Sequence, residues 1–471
     1  MIEMRLAEVA AVTGGRLHRA TGDERVAAVA FDSRAVGPGG LFAALPGERV
    51  DGHDFAAAAA AQGAVVLAGR DVDAPAVVVP PAPPGSLAAG SYLAASDRDG
   101  SGAAVLAALA ALARATVERV AGLAVVGITG SSGKTSTKDL LAAVLAPLGP
   151  TVAPAGSFNN ELGLPMTALR VDAGTRHLVL EMSSRGPGHI AALCAVAPPR
   201  IGVVLNVGSA HVGEFGSREA IAAAKGELVE ALPDADQGGV AVLNADDPLV
   251  AAMASRTAAR VVTVGRVAAA DVRASDVRLE RGRARFRLVA PAGEADVALQ
   301  LVGPHHVGNA LAVAAVALEL GATPEGVAGS LSAASPVSRW RMEVAERADG
   351  VTVVNDAYNA NPESMRAALE ALVGLAGPRR TWAVLGRMAE LGALAPAAHA
   401  AVADAARELR VAHVLAVGAP EYGARTVPDA AAAAEVLAAE LRPGDVVLVK
   451  ASRAAGLERV AEALLAGGAT R

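Results

Sequence analysis

The chain has 471 residues, 53% apolar and 19% charged, which excludes a disordered polymer and is too long for one compact core. At roughly 100–200 residues per domain, this length predicts about three domains. Its 42 Lys and Arg against 48 Asp and Glu give a net charge of −6, and only 2% of residues are aromatic, so the basic face and stacking rings of a nucleic-acid binder are missing.

The N-terminus MIEMRLAEVA puts Glu3, Arg5 and Glu8 where a signal peptide needs an apolar run. The longest uncharged stretch, Ala74–Ser96, carries Pro75, Pro80, Pro81, Pro83 and Pro84, which a spanning helix does not tolerate. A single cysteine, Cys194, forms no internal disulfide. These features predict a cytoplasmic protein with no membrane insertion and no nucleic-acid partner.

In chain order, the Ala56–Ala61 run reads as a plain helix and Gly102–Arg119 as an alanine-rich one, closing a first segment near Val120. LAVVGIT (Leu123–Thr129) opens a second segment with a buried-strand run. HLVLEM (His177–Met182), IGVVLNV (Ile201–Val207) and GVAVLNAD (Gly239–Asp246) follow, with helical patterns between several of them, which predicts a parallel sheet with crossover helices. Around Asp271–Val302 the pattern alternates, predicting an antiparallel hairpin that turns at Pro291–Gly293. A third segment near Pro336 resumes the α/β rhythm with GVTVVND, TWAVLG, HVLAVG and DVVLVKA.

Gly130, Ser131, Ser132, Gly133, Lys134, Thr135 and Ser136 lie between a strand and the helical KDLLAAVLA. Glycines let successive N–H groups curl toward phosphate oxygens, the helix N-terminus adds its dipole, and Lys134 reaches the terminal phosphates. Thr135, beside the lysine, is placed to ligate Mg²⁺. In an open α/β sheet ligands collect beyond the carboxyl ends of strands, and Glu181 and His211 stand at two of them, suited to a second divalent ion. Each has an alternative: a helix-capping acid for Glu181, a loop histidine for His211. Lys225, in IAAAKGELVEAL, reads from its surroundings as a solvated helix lysine. Asn159 and Asn160 suit phosphate, metal or a turn equally. Cys194 and the tryptophans Trp340 and Trp382 read as packing residues, and the adjacent His305 and His306 lack metal-ligand spacing.

Several separated motifs together resemble the Mur ligases, the ATP-dependent amide-forming family of peptidoglycan precursor synthesis, over nearly the whole chain. FDSRAVGPGGLFAALPGERVDGHDF is similar to the segment that binds the UDP-sugar end of the substrate, and TGSSGKTS to the family's short phosphate loop. SFNNELGLPMT, LEMSSRGPGHI, NVGSAHVGEFGSREAIAAAKGE and GPHHVGNALAVAAV resemble its asparagine, metal, lysine and nucleotide-base segments. VSRWRMEV, NDAYNANPESM, AVLGRMAELG and VLVKASRAAGLE complete the match, and the NDAYNANPESM and MAELG pieces favour the member that adds a dipeptide.

The resemblance implies an α/β protein of three domains: a mixed α/β UDP-substrate domain (1–120), a central P-loop parallel-sheet ATPase domain with an antiparallel β appendage (121–335) and a C-terminal Rossmann-like domain (336–471). It implies ATP and two Mg²⁺ ions, with Lys134 on the β/γ-phosphates, Thr135 and Glu181 serving one ion and His211 the second. Lys225 is then N-carbamylated, a metal ligand rather than a cation. Asn160 and Asn309 contact the nucleotide, the latter its adenine, with Arg341 and Asp356 closing on it. Asp32, Ser33 and Arg34 face the UDP-sugar end, Tyr358, Asn359 and Asn361 line the cleft, and Lys450, Ser452 and Arg453 meet the dipeptide's carboxylate or form surface ion pairs.

The implied reaction is addition of D-alanyl-D-alanine to UDP-N-acetylmuramoyl-tripeptide through an acyl phosphate, by a monomer using small-molecule substrates. Arg387, Ser183, His189 and Asn355 depart from the family pattern, without removing a phosphate or metal ligand. The alternatives are a sister ligase adding one amino acid, a folylpolyglutamate synthase-like ligase, a regulatory P-loop ATPase, and an inactive binding protein.

Overall fold

The computed structural model describes residues 1–83, 85–87, 91–209 and 212–467. The chain forms two compact units, Met1–Gly127 with Gly149–Gly202, and Ile128–Leu148 with Val203–Arg471.

In the first unit a five-stranded sheet runs in the order Arg16–His18, Ala76–Val78, Val65–Ala68, Gly40–Ala43, Ala28–Ala30. All neighbours are parallel except the first pair. Gly40–Ala43 and Val65–Ala68 are buried along their whole length, as expected of short apolar strands covered on both faces. Ala56–Ala61 is the helix its alanines suggest, docking Ala56 and Ala59 on a core that includes Phe42, Val66 and Ala76. Truncating Phe42 to alanine there costs about 3–5 kcal/mol. Ser101–Glu118 is long and apolar enough to cross a membrane, yet 67% of it is buried inside the protein, so its hydrophobicity is that of a core helix. His177–Glu181 pairs in parallel with Thr151–Val152 and borders Ala124–Thr129.

In the second unit the order is Gly293–Val302, Arg283–Ala290, Val272–Glu280, Arg260–Gly265, Val240–Asn244, Ile201–Val204, Ala124–Thr129. Val240–Asn244, Arg260–Gly265 and Val272–Glu280 are parallel, and Val272–Glu280, Arg283–Ala290 and Gly293–Val302 pair antiparallel. The predicted hairpin at Pro291 is therefore part of a three-stranded ladder. The alternation extends N-terminally into Val272–Glu280, and a second tight turn forms at Arg281 and Gly282, both at positive φ (49° and 73°).

A separate six-stranded sheet follows in the order Glu343–Glu346, Thr352–Asp356, Val446–Lys450, Thr381–Gly386, His413–Val417, Arg425–Val427. It is parallel except for its first strand. Val446–Lys450, last in sequence, inserts between strands that come earlier. This brings Asp356, Gly386 and Lys450 to one edge, the carboxyl edge where open α/β sheets place ligands.

Candidate active site

The phosphate loop follows directly from its glycines. Gly133, at φ 83°, turns the chain into the helix Lys134–Leu145, and a β-carbon there would lie 2.7 Å from the Asn309 side-chain oxygen. Lys134 Nζ donates to the carbonyl of Gly130 at 2.7 Å. Asn206, just beyond the neighbouring strand, holds the loop with four bonds: its carbonyl accepts from Ser131 N–H (3.1 Å), its side-chain oxygen from Ser132 N–H (3.0 Å) and Ser132 Oγ (3.4 Å), and its amide donates to Ser132 O (3.1 Å). Asn309 is buried, and its amide nitrogen lies 3.3 Å from His306 Nδ1. That contact requires His306 to accept on Nδ1, leaving Asn309's oxygen toward Gly133.

Arg341 reaches the same loop, donating from Nη2 to Thr135 Oγ1 at 3.1 Å, while its guanidinium stacks 4.1 Å from the Tyr358 ring centre. Trp340 and Met342 on either side are non-glycine residues at positive φ, 59° and 50°. Their N–H groups are tied to Glu343 (2.8 Å) and Asp356 (3.2 Å), so surrounding carboxylates enforce a strained segment that aims Arg341. Trp340 is half-buried with Arg453 4.2 Å and Arg339 5.2 Å from its ring, a cation-stacking role that replaces the expected packing one, whereas Trp382 is buried as expected.

Lys225 is 4% exposed on the helix Arg218–Glu230, so the solvated reading is overturned. Among the described residues nothing hydrogen-bonds or pairs with its amine, and burial, with Lys134 adding repulsion, brings its pKa down to about 7. At the C-terminal sheet edge, Lys450 Nζ donates to Asp356 (2.5 Å) and to Asn359 O (2.9 Å), a buried pair rather than a surface one. Asn361 accepts from Ser364 N–H at 2.8 Å and caps the helix Pro362–Ala376. Ser452 Oγ accepts from Ala389 N–H at 2.9 Å, and Arg453 pairs with Glu458. Asn355 accepts from Ala357 N–H, a turn contact a carboxylate would make equally.

In the first unit, Glu181 is 2% exposed and accepts from Asn159 Nδ2 at 2.7 Å. Asn160 caps the following helix through Gly163 N–H, and the backbone of Ser183 donates to Asn159 O. His189 lies 3.6 Å from Glu161. Burial alone would raise the Glu161 carboxyl, but bonds from His189, Ser91 and backbone N–H groups hold it at about 2. Asp32 caps the turn that carries Ser33 and Arg34 and pairs with the Arg34 side chain at 2.8 Å. His211 lies outside the described residues. Among those described, no three of His, Cys, Asp and Glu gather as a metal cage.

Comparison with known proteins agrees with this geometry. A model of the Mur ligase middle domain matches residues 128–317, one of the glutamate ligase domain 340–453, and one of the family's catalytic domain 25–114. The UDP-N-acetylmuramoyl-tripeptide–D-alanyl-D-alanine ligase of Mycobacterium tuberculosis is 55% identical over 99% of this chain and 98% of its own. The chain belongs to the Mur ligase family. Within it this Mur ligase is of the MurF type: a crystal structure of MurF from Acinetobacter baumannii superposes with a TM-score of 0.85 at 29% identity, covering 98% of this chain and 99% of that one. MurF ligase from Thermotoga maritima, solved in complex with ADP, gives 0.79 at 30% identity over 94% and 98%.

Asn206, His306 and Glu363 are the residues of this Mur ligase that pattern reading passed over. Asn206 had a usable signal, an amide at the end of a buried strand beside the phosphate strand. The other two had none, because each acts across more than 150 residues or inside a helix that reads as apolar core.

Proposed function

We infer that this chain joins the amine of D-alanyl-D-alanine to the terminal carboxylate of UDP-N-acetylmuramoyl-tripeptide, converting ATP to ADP and phosphate. The observation that carries the reading is end-to-end identity of 55% with a ligase of that name, with the phosphate loop intact. Residues 1–120 take the UDP-sugar end, with Asp32, Ser33 and Arg34 there. Residues 121–335 take ATP, and residues 336–471 take the dipeptide, with Tyr358, Asn359, Asn361, Lys450, Ser452 and Arg453 around it. The enzyme acts in the cytoplasm as a monomer.

Condensing an acid with an amine in water is uphill, so the carboxylate first attacks the γ-phosphate, giving an acyl phosphate and ADP. The dipeptide amine then attacks the acyl carbon and phosphate leaves with the C–O bond electrons. The first step brings two anions together, and the chain's own contribution is positive charge and aimed donors: Lys134, the N–H groups of Gly130–Ser136, and Arg341. Asn309 and Asn160 orient the nucleotide, and Asp356 holds the Arg341 segment in place through Met342.

Mg²⁺ suits the donors present, since it takes one or two carboxylates and substrate phosphates rather than a full protein cage. Thr135 and Glu181 would serve one ion and His211 would help position a second, and the ions would neutralise phosphate oxygens. Lys225 fits carbamylation. Burial brings its pKa down to about 7, so neutral amine is available near pH 7, and a neutral amine adds CO₂ to give a carbamate and a proton.

Phosphate release measured with each substrate omitted in turn tests the reading. Release should need both the tripeptide nucleotide and D-alanyl-D-alanine. Equal release with neither would make the chain a regulatory ATPase, and release with a dipeptide nucleotide plus a diamino acid would make it a sister ligase.

A further inference from the structure

The turn after the strand Ile201–Val204 is gripped from two sides. On one side Gly208 N–H donates to Ser131 Oγ at 2.9 Å, a buried bond, and Asn206 holds Ser131 and Ser132 as described above. Val207 is fixed through both backbone groups, its N–H to Asp247 (2.8 Å) and its carbonyl to Arg218 (2.8 Å). On the other side stands Glu363, 154 residues away in the first turn of the helix Pro362–Ala376. Oε1 accepts from Ser209 N–H at 2.7 Å and Oε2 from Ser209 Oγ at 3.0 Å. A β-carbon on Gly208 would lie 2.9–3.1 Å from that carboxyl group, so any larger residue there would push the carboxylate off the turn. A second close approach runs alongside, where a β-carbon on Gly213 would lie 2.9–3.1 Å from the Glu390–Gly392 backbone.

Glu363 is not occupied as a helix cap. Asn361 and Ser364 already cap each other's N–H groups, so both carboxylate oxygens are turned away from the helix and onto the turn. An acid in a first turn gains from the helix dipole without any such partner, so the dipole alone leaves this aim unexplained.

We propose that Glu363 is a positioning residue, a latch by which the C-terminal sheet fixes the phosphate loop through Ser209, Gly208 and Ser131. With the latch made, Ser131 and Ser132 are held with their N–H groups set for phosphate. With it broken, the turn and the loop lose their outer support, and nucleotide affinity falls before chemistry does. The proposal rests on the ligase reading only for its catalytic assay, since ADP binding tests it without turnover.

The experiment uses the full-length enzyme and the variants Glu363→Ala, Glu363→Gln, Ser209→Ala and Gly208→Ala. Glu363→Ala should raise KM for ATP and Kd for ADP about tenfold, with kcat changed less than threefold, as expected for an exposed charge-assisted pair of bonds. Glu363→Gln should stay within about threefold of wild type, because its amide can accept from Ser209 N–H and donate to Ser209 Oγ. Adding Ser209→Ala to Glu363→Ala should cost nothing further. Gly208→Ala should weaken ADP binding more in the native background than in Glu363→Ala, where the colliding carboxyl is gone. This comparison still decides the matter if Glu363→Ala alone folds poorly. Unchanged ADP affinity in Glu363→Ala, or independent effects of Glu363→Ala and Ser209→Ala, overturns the latch. A wild-type enzyme that binds ADP and shows these effects but makes no product overturns the ligase reading instead.

Discussion

Lys225 and Lys450 are the same residue type, buried almost equally at 4% and 2% exposure, and the structure gives them opposite surroundings. Lys450, on the C-terminal sheet edge, has a carboxylate at 2.5 Å and a carbonyl at 2.9 Å, so its charge is matched. Lys225, in the central-sheet module, lies on a helix whose Ile221, Ala224 and Leu228 are also buried, and the cation Lys134 repels its charge. Burial without a partner is costly for an ammonium and cheap for an amine. The C-terminal lysine therefore ties Asp356 to the Asn359 backbone, while the central one is the residue proposed above to carry a carbamate.

Three measurements break or sharpen that contrast. Lys225→Ala should lower the rate of product formation by about a thousandfold, near 4 kcal/mol of transition-state stabilisation, with little change in melting temperature and with partial recovery in excess acetate. Wild-type rate in that variant removes the reactive role. Lys450→Met should instead destabilise the fold by about 3 kcal/mol in urea unfolding, because it strands the Asp356 carboxylate. Lys450→Met with Asp356→Asn should restore much of that loss. If both versions unfold at the wild-type midpoint, the pair is not structural.

The smallest effect is in acid. Burial brings His305 down to about 4 and His306 well below its ordinary 6.5, so both are neutral when folded and charge first when unfolded. Their stabilising contribution is complete above pH 6.5 and is lost as pH falls from 6.5 toward 4. Melting temperature should drop by a few degrees over that window, and the drop should shrink in His305→Asn with His306→Asn.

The phosphate loop was legible because its chemistry is contiguous: strand, glycines, lysine and hydroxyl follow one another, and local backbone geometry makes the anion cradle. The main strands from Ala124 onward were legible for a related reason, since a buried parallel strand is an unbroken apolar run. The extra strand Val272–Glu280 was less so, because its exposed half carries Arg278 and Glu280 and its turn is an Arg-Gly pair with no strong signal. Asn361 stands out by its motif, and only the fold shows that its side chain also caps the helix Pro362–Ala376. Trp340 looked like core and stacks on arginines.

By itself the sequence determined the α/β class, the order of strands along the chain, the nucleotide loop and the family. Each depends on residues within one turn, one strand or one motif, where spacing alone dictates geometry. The tertiary structure decided what those pieces face. Insertion of Val446–Lys450 between earlier strands pairs Lys450 with Asp356, helix docking strips water from Lys225, and a turn held by Ser131 meets Glu363 from 154 residues on. Charge state and contact across such distances depend on burial and neighbours, which chain order does not encode locally.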